Sequence, residues 1–201
     1  MSMKKNIILI CITVFIIISC SKTNTLSKKD FEWMPYKGTE TLVFNSNAGD
    51  IDTFFFLKKD TLIAYPEAQY VNGTKYEMVS IFCKHTDAWT PDRKLRYLES
   101  SFLELSKAKD NHAELNVLLS AQDATFYKIK PLKIDSLNIQ KPSVLQTKYK
   151  DYDDVYIINT EVSPKYSNRS DYVTKVYWSK TQGLIRYDKK DSTYWELAQV
   201  L

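Results

Sequence analysis

Glycine occurs only four times in 201 residues, at positions 38, 49, 73 and 183, and histidine only twice, at 85 and 112. That spacing of glycines admits no phosphate-cradling loop and no G-x-S-x-G nucleophile elbow. Two histidines that far apart exclude an H-E-x-x-H zinc motif and any histidine-rich metal site. Cysteine is nearly as scarce: Cys11, Cys20 and Cys83. Long apolar runs are limited to one, Ile7 to Ile18, interrupted only by Cys11 and Thr13.

That run follows Lys4-Lys5 and ends on Ser19-Cys20, the order of charge, apolar stretch and small residue that marks a secretory signal. Twelve residues of helix would span about 18 Å, short of the roughly 30 Å hydrocarbon core, so a transmembrane helix is the weaker reading. Ile17-Ile18-Ser19-Cys20 resembles the lipobox of bacterial lipoproteins, departing from its common pattern in having Ile where Leu is usual. The resemblance implies cleavage before Cys20 and diacylglycerol on its thiol. Two or more acyl chains anchor stably where one does not. Residues 1–19 are then a signal peptide, 20–30 a lipidated polar tether, and 31–201 one domain. Ten tether residues would reach about 35 Å if fully extended.

Removing the signal removes two of the 28 basic residues and none of the 24 acidic ones, so the mature chain is close to neutral. The basic pairs Lys28-Lys29, Lys58-Lys59 and Lys189-Lys190 are isolated and read as solvated turns, which leaves no tract for nucleic acid. Some lipoproteins of the Bacteroidetes carry an acidic cluster after the cysteine that directs surface display. Ser21-Lys22-Thr23-Asn24 has none, which favours an outer-membrane anchor facing the periplasm. With Cys11 cleaved away and Cys20 lipidated, Cys83 is the one remaining thiol, so no intramolecular disulfide and no cysteine-rich zinc site can form.

Aromatic residues reach 13% amid many Val, Ile and Thr, a composition suited to strands. Glu40–Ser46 and Ile51–Leu57 flank Asn47-Ala48-Gly49-Asp50, a hairpin loop. Lys58-Lys59-Asp60 reads as a turn before a strand at Thr61–Tyr65, and Asn72-Gly73 as a second hairpin turn before Thr74–Lys84, buried on both sides near its end. Residues 90–109 carry both a helical spacing (Leu95, Leu98, Phe102, Leu105) and strand alternation. A strand pair over much of 97–120, after a helical start, fits better. Val144–Tyr149, Val155–Val162, Tyr172–Trp178, Leu184–Asp188 and Thr193–Val200 follow as short strands. The expected fold is all-β, or β-rich α+β with one or two short helices: a curved antiparallel sheet, sandwich or up-and-down barrel of hairpins.

Tyr177-Trp178-Ser179, Gly183 to Tyr187 and Tyr194-Trp195-Glu196-Leu197 resemble the closing hairpins of small Bacteroidetes lipoproteins, which implies an envelope setting and no particular activity. Among chemical constellations, Cys83 and His85 share a strand face, yet a nucleophilic pair also needs an orienting group and an oxyanion site. A buried, inert cysteine is the simpler account. Asp151, Asp153 and Asp154, with Asp50 and Asp52, offer hard oxygens but lack the glycine and terminal glutamate of a calcium loop, and read as a solvated turn. No cofactor is implied. Tyr172, Tyr177, Trp178, Tyr187, Tyr194 and Trp195 are the one suggestive cluster: on a curved sheet they line a pocket for a lipid or sugar ring, or simply pack the strands. The expected function is a non-enzymatic envelope lipoprotein that binds a hydrophobic ligand in a cavity or an envelope protein on its surface. The alternative is a hydrolase of envelope polymers or lipids.

Overall fold

The computed structural model describes residues 23–65, 74–85, 99–108, 110–121, 124–125, 130–161, 168–170 and 172–201. The fold is all-β: an antiparallel sheet curled into a half-barrel, with two short helices. In chain order the elements are β1 (Thr23–Asn24), α1 (Lys28–Phe31), β2 (Thr41–Ser46), β3 (Ile51–Ala64), β4 (Lys75–His85), β5 (Glu99–Lys107) and β6 (Ala113–Val117). There follow β7 (Ser120–Ala121), β8 (Ala124–Thr125), β9 (Leu132–Lys133), α2 (Ile134–Asn138), β10 (Ser143–Gln146), β11 (Asp151–Asn159), β12 (Val173–Ser179), β13 (Gly183–Lys189) and β14 (Tyr194–Val200).

The main sheet runs β10-β11-β12-β13-β14-β2-β3-β4-β5-β6-β9, with β1 added parallel to β4, while β7 and β8 pair separately. Two meanders, β2 to β6 and β10 to β14, are therefore joined into one sheet by the last strand pairing with β2. Leu197 lies opposite Phe44, and Thr41 and Leu201 exchange two 2.9 Å backbone hydrogen bonds that close the seam. Among the described residues no helix is long and apolar enough to cross a membrane.

Alternation decides which residues form the core. Leu42 and Phe44 on β2, Phe54 and Phe56 on β3, Val176 and Trp178 on β12, and Trp195 and Leu197 on β14 are all buried. The concave side is filled by the irregular segment after α1, which carries Trp33, Met34 and Tyr36, each under 5% exposed. The Tyr36 ring meets Phe56, Phe102 and Trp178 edge-on or nearly so, with centroids 4.8, 5.9 and 6.0 Å away, and so ties β3, β5 and β12 together across the curl. Its hydroxyl accepts the Leu184 N–H at 2.7 Å, inside the space beside Gly183 that a Cβ would occupy. Gly183 also has φ +79°, a conformation L side chains resist, so glycine is required there twice over.

Three sequence expectations change. Lys58-Lys59-Asp60 forms no turn: β3 continues through it to Ala64, with a bulge between Phe56 and Lys58. The charges are tolerated because this half of the strand is solvated; Lys58 bonds Asp60 at 3.0 Å, and the Lys59 ammonium donates to the Tyr36 carbonyl at 3.1 Å. Asp151, Asp153 and Asp154 sit within β11, not in a turn before it. From Thr23 onward, the polar segment read as tether is docked on the domain. The Asn24 amide donates to the Ala108 carbonyl, Glu77 accepts the Leu26 N–H, and a Ser27–Asp30 capping box starts α1. The β5–β6 pair, the Asn47–Asp50 turn and the C-terminal strands stand as expected. Asn72-Gly73 and the helical start at 90–98 lie outside the described residues.

Candidate binding surface

The six aromatics expected to line one pocket are divided between the two faces of the sheet. Trp178, Tyr187 and Trp195 point inward and are at most 2% exposed; Tyr187 and Trp195 stack at 5.9 Å. The Tyr187 hydroxyl donates to the buried Asp52 carboxylate at 2.7 Å. Burial, the Asp52 charge and that hydrogen bond together push the Tyr187 phenol well above its ordinary pKa. Tyr172 lies at the start of β12, donating to the Glu161 carbonyl at 2.8 Å. Tyr177 and Tyr194 point outward and bracket Arg186, whose guanidinium carbon lies 5.2 and 4.0 Å from their ring centroids.

Alternation around Arg186 builds the polar outer face. Arg186 pairs across to Glu196 on one side and Tyr177 on the other, so all three project away from the core. Its Nε donates to Asp188 at 2.7 Å and its Nη1 to Glu196 at 3.3 Å. Asp188 also accepts the Tyr177 hydroxyl at 2.7 Å. Burial foremost, then that bond and the Asp188 charge, raise the Tyr177 phenol to about 12. The network is internally satisfied, which rigidifies this patch of sheet.

Beside it opens a cleft of about 300 Å³, bounded by Asn45 and the Ser46–Gly49 turn, by Tyr194 and Glu196, and by Lys148 and Tyr149 of the β10–β11 turn. That turn is fastened across the sheet: the Lys148 N–H donates to Glu196 at 3.1 Å, and the Asn45 amide donates to the Tyr149 hydroxyl at 2.6 Å. Glu196 is thereby engaged by Arg186 and by backbone. The Lys148 ammonium has no carboxylate partner among the described residues, lying 5.7 Å from the Tyr149 ring. The cleft can hold a small polar group by hydrogen bonds, one cation and a tyrosine edge; it presents no activated nucleophile. Of the six predicted aromatics only Tyr194 reaches it. Asn45, Lys148, Tyr149 and Glu196 come from three distant segments and form no sequence motif.

The residues weighed for catalysis and for metal binding sit elsewhere. Cys83 is 3% exposed within the core. The His112 imidazole is held between Asp110 and Glu114, occupying both ring nitrogens. Asp154 accepts from the Ser179 and Thr181 hydroxyls and the Thr181 N–H, fastening the β12–β13 turn. Among the described residues no three His, Cys, Asp or Glu side chains converge as a metal site would need. No protein-family model, no curated protein and no solved structure matches this chain.

Proposed function

We propose that this chain is a lipid-anchored envelope protein whose β domain works by binding a ligand or a partner protein and not by making or breaking bonds. The observation that carries the reading is the N-terminal order Lys4-Lys5, apolar Ile7 to Ile18, Ser19 and Cys20. Cys20 receives diacylglycerol, and the missing acidic cluster after it favours the periplasmic face of the outer membrane. Binding falls to the outer face, because Trp33, Met34 and Tyr36 fill the concave side where a carrier would keep a cavity. Expression with labelled palmitate tests the anchor. The wild-type chain takes up label, whereas Cys20→Ala takes up none and accumulates as uncleaved precursor. Equal labelling of the two would end the proposal.

A further inference from the structure

Strand β3 changes character along its length. Up to Phe56 its side chains alternate between core and solvent; beyond the bulge, Leu57 to Ala64 show no buried position on either face. With β4 they form an arm, on which Leu62, Ile63 and Tyr65 are 38, 43 and 68% exposed. β4 is flanked on its far side by β5 as far as Met78 and by β1 at Lys75 and Tyr76. Beyond the bulge, though, the outer edge of β3 pairs with no strand among the described residues, and these apolar side chains stay exposed there.

The N-terminus meets the domain at the same end. Thr23 pairs with Lys75, and Ala64 pairs with Tyr76, so β1, β4 and β3 align in one row at the end of the arm. β1 runs parallel to β4, which enters the sheet from that end, so the chain preceding Thr23 arrives from the arm's side. Only Ser21 and Lys22 separate the lipid-bearing Cys20 from Thr23, a reach of about 10 Å at most. The attachment at Thr23 is firm: the Asn24, Leu26 and Ser27–Asp30 contacts continue it, and Lys107 pairs with Asp30 at 3.0 Å, both largely buried. The domain therefore cannot swing away on a ten-residue leash.

We infer that the β3–β4 arm rests against the lipid bilayer, its Leu62, Ile63 and Tyr65 entering the headgroup region, so that the anchor and the arm together fix the domain's orientation. The inference rests on the lipidation of Cys20. A bilayer is the occupant that the short reach dictates, because any surface within 10 Å of the lipidated residue is the membrane's. The side chains suit it: tyrosine favours the interface, and the Lys75 ammonium, 5.1 Å from the Tyr65 ring, can reach headgroup phosphates while its stem stays on apolar surface. Lys28 and Lys29, exposed on α1 nearby, add cations facing an anionic leaflet. The Arg186 face and its cleft are left available for a partner.

The test uses the mature lipidated chain in phosphatidylethanolamine–phosphatidylglycerol vesicles containing a headgroup spin-labelled lipid. Ile63→Cys and Ile51→Cys each carry an environment-sensitive fluorophore; both positions are exposed and lie on one strand, about 40 Å apart at 3.3 Å per residue. Wild type, whose Cys83 is buried, is the labelling blank. The fluorophore at 63 should be quenched at least twofold more than that at 51 and emit further to the blue. Equal quenching, or more at 51, overturns the inference. Mass spectrometry of the same samples separates the two failures. Lipid on Cys20 with equal quenching removes the arm's role and leaves the anchor standing; absence of lipid removes both.

Discussion

The two halves of β3 share one backbone ladder and differ in everything that covers it. Ile51 to Phe56 lies over a core of interlocking rings, with Phe54 1% exposed and Phe56 6% exposed; Leu57 to Ala64 has no buried side chain. The first half is held by packing, the second by its ladder with β4, which β5 and the short β1 flank on the far side. Substitutions in the base should therefore unfold the protein, whereas substitutions in the arm should alter only where the protein sits.

The largest break comes from Trp33→Ala. Removing this fully buried indole, which lies 4.6 Å from Tyr156 and fills the curl, should cost about 3–5 kcal/mol in urea unfolding. Alkali should act on the same region. Burial raises the phenols of Tyr36 and Tyr187, and raises Tyr177 to about 12, against about 10 in an unfolded chain. A raised folded pKa favours folding fully below the unfolded value and loses that contribution above it. Stability should thus hold up to pH 10 and fall between pH 10 and 12, tracked by circular dichroism alongside tyrosinate absorbance. Tyr187→Phe takes one donor from buried Asp52 and should cost about 1–3 kcal/mol in the same unfolding measurement. Leu62→Ser, on the arm, should change stability by no more than about 0.5 kcal/mol. A large loss there would mean that the arm is packed after all, and the contrast between the halves would fail.

How far the sequence disclosed this arrangement follows from local period and turn chemistry. The C-terminal strands were legible because alternation and turn residues agree, as at Gly183 and Asp191-Ser192. The Lys58-Lys59-Asp60 segment misleads because a solvated strand half has the composition of a turn; only tertiary pairing with β4 keeps it extended. Trp33 to Tyr36 gives no periodic signal, since an irregular segment buries by position inside the curl and not by spacing. The aromatic cluster was visible as composition, but strand alternation sends Trp195 inward and Tyr194 outward, so neighbours in sequence serve opposite faces. The outer cleft was invisible, because its parts meet only once the sheet has formed.

The central claim, that lipid on Cys20 holds this domain at a membrane, is tested most directly by the intact mass of the mature protein extracted from membranes with detergent. The account predicts a chain beginning at Cys20 and carrying diacylglycerol on that residue. A chain that retains residues 1–19, or that begins at Cys20 with its thiol unmodified, would contradict it.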